Sequence, residues 1–80
     1  MKEGKYIVFD DGSATVFKVH RDHNWMCGDR QAISGGFFRV ANGQVECYGE
    51  SRTLGVAVRN NDAEIIAPYL GLAGGSPGLG

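Results

Sequence analysis

Ile33-Ser34-Gly35-Gly36-Phe37-Phe38-Arg39-Val40-Ala41-Asn42-Gly43-Gln44-Val45-Glu46-Cys47-Tyr48-Gly49-Glu50-Ser51 is the stretch whose reading decides the fold. Asn42-Gly43 separates two alternating runs, residues 33–41 and 44–51. An Asn-Gly pair in that position signals a two-residue hairpin turn, because both turn positions need φ > 0. Folding about that turn makes every cross-strand pair agree. Val40 meets Val45 and Phe38 meets Cys47 on one face, while Arg39 meets Glu46 and Phe37 meets Tyr48 on the other. The first face is core. The second carries an aromatic pair beside an ion pair, and reads either as a solvent-tolerant patch or as a site for a partner. Gly35, Gly36 and Gly49 cluster at the far end, where missing side chains allow a bulge or the close approach of another backbone or a ligand.

Upstream, Lys5-Tyr6-Ile7-Val8-Phe9-Asp10 and Ala14-Thr15-Val16-Phe17-Lys18-Val19-His20 are strands by β-branched and aromatic content. Asp11-Gly12 between them predicts a type I′ turn. That register sets Phe9 opposite Ala14, Ile7 opposite Val16 and Tyr6 opposite Phe17. Both faces are then apolar, so this hairpin should lie inside the sheet or be covered on both sides. It also sets Lys5 opposite Lys18, a like-charge pair that a longer loop would relieve. Downstream, Leu54-Gly55-Val56-Ala57-Val58 alternates large and small apolar residues, as a short strand does beneath a packed element. Asn61 with Glu64 three residues on predicts a capping box opening a helix. Ala63, Ile66, Ala67 and Leu70 form its apolar stripe, and Pro68 should kink or end it near Leu70-Gly71. Residues 72–80 have nothing to bury and read as a flexible Gly-rich tail following a single domain over 1–71.

The expected class is therefore α+β, an antiparallel sheet of about five strands built from two β-hairpins, with one C-terminal helix packed on it. Core candidates are Ile7, Phe9, Val16, Phe38, Val40, Val45, Cys47, Leu54, Val56, Ile66 and Leu70. Eighty residues allow one modest core, and 42% hydrophobic with 21% charged residues is ordinary for a globular chain. Mean hydropathy is −0.20. No apolar run approaches the roughly 20 residues of a membrane span, and Met1-Lys2-Glu3-Gly4 leads straight into a strand, so a cytoplasmic, soluble protein is expected. Eight basic against nine acidic residues give net charge −1. Nothing broad draws such a chain to nucleic acid, and Arg21, Arg30, Arg39, Arg52 and Arg59 are interspersed with acids. With so small a core, self-association burying Phe37 and Tyr48 is a physically reasonable supplement.

Residues 20–30, His-Arg-Asp-His-Asn-Trp-Met-Cys-Gly-Asp-Arg, hold both histidines and the only tryptophan, and are the functional suspect as a loop. His20, His23 and Cys27 have the atom types zinc prefers, with a fourth ligand to come from Asp22, Asp29 or Cys47. The competing reading leaves one histidine at a strand end in solvent and folds Trp25 and Met26 back over the core. Of the two cysteines, Cys47 faces the core and Cys27, beside Gly28, is the more reactive candidate. His20 or His23 has the imidazole needed for a general base or nucleophile. Ser34-Gly35-Gly36, with Arg30 or Arg39, would supply amides and a guanidinium to phosphate oxygens. No P-loop, dinucleotide fingerprint or nucleophile elbow is present.

Ser34-Gly35-Gly36-Phe37-Phe38, then Val45-Glu46-Cys47-Tyr48-Gly49-Glu50-Ser51 and Leu54-Gly55, resembles small uncharacterised bacterial and prophage proteins with a Ser-(Ala/Gly)-Gly-Phe…Tyr-Gly-x-Ser-x-x-Leu-Gly pattern. That resemblance covers the second half of the chain and implies no activity. The order of a glycine-rich strand end, Tyr48-Gly49-x-Ser51 and a closing helix is also similar to the end of the Janus/Ocnus phosphohistidine phosphatases. There the catalytic histidine precedes the glycines, a place His20 or His23 would fill. Phe37 stands here where that family has arginine, and no helix is expected between the histidines and the glycines. The leading expectation is a non-enzymatic binding protein, presenting Trp25, Arg30 and the 20–30 loop, with Ser34, Gly35, Gly36, Phe37, Arg39, Tyr48 and Ser51, to a protein or a small anionic ligand. The runner-up is a phosphatase-like enzyme.

Overall fold

A computed structural model describes residues 2–72. In chain order the elements are β1 (Glu3–Phe9), β2 (Ala14–Phe17), α1 (His23–Cys27), β3 (Ala32–Ala41), β4 (Gln44–Tyr48), β5 (Glu50–Ser51), β6 (Val56–Ala57) and α2 (Asp62–Ile66). A 3₁₀ turn over Ala67–Leu70 follows directly on α2. The strands form a four-stranded sheet of order β2-β1-β3-β4 and a separate two-stranded ribbon of β5 and β6, all pairs antiparallel. The α+β class with its hairpins and C-terminal helix therefore stands, with the strands divided between two sheets.

The Asn42-Gly43 reversal forms as expected, with φ of 54° and 75°. Phe37↔Tyr48, Phe38↔Cys47, Arg39↔Glu46 and Val40↔Val45 are all partners. The first hairpin differs. Its register is Lys5↔Phe17, Tyr6↔Val16, Ile7↔Thr15 and Val8↔Ala14, one residue away from that expected of a two-residue turn. Gly12 N–H donates to Phe9 O at 3.0 Å and Phe9 N–H to Ser13 O at 2.8 Å, with Gly12 at φ 86°. This is a type I turn followed by a left-handed glycine, the three-residue solution for a hairpin. Asp11 Oδ1 selects it by accepting from Ser13 N at 2.9 Å and Ser13 Oγ at 2.6 Å. The longer loop also removes the Lys5/Lys18 clash, since Lys5 now faces Phe17 and β2 stops there.

β1 is central, and its Tyr6, Ile7, Val8 and Phe9 are all buried. Alternate residues serve opposite faces of the sheet. Tyr6 and Val8 join Ala14, Phe38 and Ile66, with Val16, Val40, Val45, Cys47, Val58, Ile65 and Leu70 packed around them. Ile7 and Phe9 join Phe17, Cys27 and Ala32, with Met26, Leu54 and Val56 around those. Both faces are covered, as the apolar first hairpin leads one to expect, and Tyr6, Val8 and Phe17, which were not among the core candidates, are core residues too. Leu54 lies in a turn instead of a strand, and β6 keeps only Val56–Ala57.

β3 is longer than its partner β4, so its first half runs beside the β5–β6 ribbon. A β-bulge there places Ile33 between the pairs Val8↔Ser34 and Phe9↔Ala32. The two glycines that follow serve close approach. A Cβ on Gly35 would lie 3.0 Å from Tyr6 O, and one on Gly36 2.7 Å from Tyr48 O and 3.0 Å from Val58 Cγ2. Gly36→Ala is therefore expected to lower stability by about 1–3 kcal/mol, because backbone has to move. A urea titration followed by circular dichroism reads this. An unchanged midpoint would mean the β3–β4 junction is soft.

The capping box does not form: the Asn61 side chain makes no cap bond. Asp62, next to it, is buried and accepts from Arg59 N–H at 2.9 Å, which fastens the turn leading into α2. Pro68 converts the end of the helix to 3₁₀ geometry, and Gly71 closes it at φ 76°. Leu72 N–H donates to Ala67 O at 3.0 Å in the six-to-one bond of a Schellman ending. The tail expected over 72–80 lies, from residue 73 on, outside the described residues.

Candidate functional site

Residues 20–30 contain one turn of helix, contrary to the expected loop. Asp22 stands at the N-cap, Met26 N–H donates to Asp22 O at 3.1 Å, and Gly28 ends the turn at φ 60°. The sequence did carry this signal: an aspartate, then apolar or buriable residues at 23, 26 and 27, then a glycine. His23 and Cys27, four apart, point to the sheet and are buried, whereas Trp25 is 71% exposed. The expected fold-back of Trp25 over the core is thus corrected, since it lies on the outer side of the turn. Met26 does pack on the core. Cys27 is also not the reactive thiol. It is buried and donates to Arg30 O at 3.0 Å, where no oxidant or electrophile reaches it freely. Burial pushes the Cys47 thiol up to about 11.

His23 fastens α1 to the sheet. Its Nε2 lies 2.8 Å from Gly36 O, and a carbonyl only accepts, so Nε2 carries the proton of a neutral imidazole. Phe17 meets the imidazole edge-to-face at 5.4 Å and Phe37 at 5.9 Å. Phe37 in turn stacks on Tyr48 at 5.8 Å and 19° between planes. A row of rings from β2, α1, β3 and β4 therefore crosses one face of the sheet. Desolvation lowers the His23 pKa below its usual value, opposed by the Gly36 bond and seconded by the Lys5 charge.

Cations lie along the row. Lys5 Nζ donates to Arg21 O at 2.7 Å and sits 5.8 Å from the Phe37 ring centre. The Arg21 guanidinium is 5.7 Å from the Trp25 ring, and that of Arg39 is 6.0 Å from Tyr48 while bonded to Glu46 at 2.7 Å. Between the end of β2 and α1 opens a shallow cleft of about 380 Å³, lined by Phe17, Lys18, His20, Arg21, Trp25 and Met26. Its lining includes no carboxylate. Arg30, Arg39 and Arg52 are paired with acids, but among the described residues none lies within 4.0 Å of Lys5, Lys18 or Arg21.

The remaining candidates lie elsewhere. Arg30 packs 3.7 Å over the Phe9 ring and binds Asp11 and Ser13 at the first hairpin turn. Ser34 is fully buried on the opposite face, donating to Asp62 Oδ1 at 2.8 Å. Gly35 and Gly36 are buried within the sheet, closed over by Val56 and Val58, so the Ser-Gly-Gly segment is not an open anion cradle. Ser51 is 2% exposed, and its Oγ has no hydrogen-bond partner among the described residues. His20 is exposed in the cleft and His23 is not, so the two histidines do not act as one pair. Among the described residues no three ligand-type side chains are placed to hold a metal ion, and His23 and Cys27 each spend a polar atom on a backbone carbonyl. No helix among the described residues is long and apolar enough to cross a membrane. No family model matches the chain, and no curated protein or solved structure matches it significantly.

Proposed function

We propose that the protein is a small non-enzymatic binding protein that uses the α1 segment and the adjoining aromatic face of the sheet to hold an anionic partner, an acidic protein segment or a small molecule. The observation that carries this reading is the cleft beside α1, where Lys18, Arg21 and His20 surround an exposed indole with no acid in the lining. A tryptophan and an arginine held together on a supported turn are the residue types that dominate binding energy at interfaces. The ring row beneath them holds α1 on the sheet, and its imidazole, His23, is buried with Nε2–H tied to Gly36 O.

The test is an amide chemical-shift titration of the whole protein with a poly-glutamate peptide and, separately, with inorganic phosphate. Shifts confined to residues 18–26, Lys5, Phe37 and Tyr48 are expected with at least one probe. Shifts elsewhere, or none with these or any other anionic probe, would overturn the reading. The phosphatase-like alternative rests on His20, the exposed imidazole. It is favoured instead if the protein turns over phosphohistidine and His20→Ala abolishes that turnover.

A further inference from the structure

The cleft beside α1 combines two kinds of group in a particular arrangement, an exposed aromatic plane and, at its edge, cations with no carboxylate within 4.0 Å among the described residues. Trp25 is the most exposed large apolar side chain of the described residues at 71%. The Arg21 guanidinium already lies 5.7 Å from its ring centre, so one neighbourhood offers both a stacking plane and a positive charge. Lys18 and His20 join Arg21 in the lining, and Phe17 and Met26 form its apolar floor. Lys5, bonded to Arg21 O, adds a further positive charge next to the cleft. Asp22, exposed at the N-cap of α1, is the nearest acid in sequence and does not line the cleft.

The cleft, shallow and of about 380 Å³, is on the scale of a small-molecule ligand. We propose that this cleft binds a planar aromatic ring joined to a phosphate, the chemistry of a nucleoside monophosphate. The ring stacks on Trp25, and the phosphate is held by Arg21 and Lys18. Stacking of a base on an aromatic side chain contributes about 1–3 kcal/mol whichever base it is, so the cleft discriminates by the joint presence of ring and anion, not by base identity. Arg21 is suited to the phosphate because its planar fork donates two parallel hydrogen bonds to neighbouring oxygens. This proposal rests on the anionic-partner reading above and narrows it to one ligand class.

Trp25 is the only tryptophan, so its fluorescence reports the cleft directly. The whole protein is titrated with adenosine monophosphate, guanosine monophosphate, adenosine, ribose 5-phosphate and inorganic phosphate at fixed ionic strength. Both nucleotides are expected to quench the emission saturably, with at least tenfold tighter half-saturation than any probe lacking ring or phosphate. Arg21→Ala is expected to weaken nucleotide binding at least tenfold while the circular dichroism spectrum is unchanged. Trp25→Leu, read by amide shifts, should do the same. If phosphate or the poly-glutamate peptide shifts the cleft residues but nucleotides bind no more tightly than phosphate, the ring-and-phosphate proposal falls and the anionic-partner reading survives. If none of these probes moves the cleft residues, both fall.

Discussion

Asp62→Ala is expected to cost about 2–6 kcal/mol, enough to leave a substantial share of the chains unfolded in mild denaturant. Asp62 is 1% exposed and accepts three hydrogen bonds, from Tyr6 Oη at 2.5 Å, Ser34 Oγ at 2.8 Å and Arg59 N at 2.9 Å. Those donors come from β1, β3 and the turn before α2, so one carboxylate ties the helix to the two central strands. Removing it strands two buried hydroxyls, at about 1–3 kcal/mol for each one left unpaired, and frees the part-buried Arg59 N–H. Burial and the neighbouring Asp62 carboxylate raise the Tyr6 hydroxyl well above its usual pKa, so it remains a donor throughout the range in which the protein is studied. A protein of 80 residues has a total stability on the order of 4–12 kcal/mol, so this loss is a large fraction of it. Tyr6→Phe, which removes one donor and leaves the others, should cost less, about 1–3 kcal/mol. Urea midpoints of the three proteins, read by far-ultraviolet circular dichroism, check the order. Equal midpoints for wild type and Asp62→Ala would show that the network is not what holds α2 on the sheet.

Lowering the pH through the histidine range is expected to loosen the α1 segment. His23 is neutral in its aromatic slot and its pKa lies below the ordinary value of 6.5. The unfolded chain therefore binds a proton more readily than the folded one, and stability falls as pH drops below 6.5. The decline continues to the folded-state pKa and then levels off, with a slope of at most about 1.4 kcal/mol per pH unit from this residue. Above 6.5 its contribution is complete. His23→Ala should cost about 2–5 kcal/mol at neutral pH, because it vacates the space between Phe17 and Phe37 and frees Gly36 O. His23→Phe keeps a ring in the slot and has no proton to bind. It should be less destabilising and should lose that part of the acid slope. Hydrogen exchange at residues 22–28 between pH 5 and 7.5 provides the local reading. Exchange there that ignores pH, once corrected for its intrinsic rate, would remove His23 from the attachment of α1.

Nearly everything local about the second hairpin was legible in the sequence, because Asn-Gly dictates φ > 0 at both turn positions and the pairing register follows. Pro68 and Gly71 ended the C-terminal helix where their backbone preferences require. Asp11-Gly12 misled for a definable reason. The same dipeptide serves both two- and three-residue turns, and the choice fell to the Asp11 carboxylate bonding Ser13, a side-chain contact that pattern alone does not rank. The cleft of the candidate site draws four of its six lining residues from the eleven that the sequence singled out, and the Phe37–Tyr48 pair forms as their register requires. The sequence did not reveal that His23 would turn inward and Trp25 outward, because a five-residue helix takes its orientation from what it packs on.

The sequence by itself determined the hairpins, the helix end and the aromatic pairing of Phe37 with Tyr48, all consequences of backbone preference and alternation over a few neighbouring residues. Tertiary structure alone decided that β1 would pair with β3 as well as with β2, and that Asp62 would be the buried tie between helix and sheet. It also decided which arginines keep a free charge. Those outcomes depend on residues 16 to 56 positions apart meeting in space, where desolvation and mutual packing, not local propensity, choose the partner.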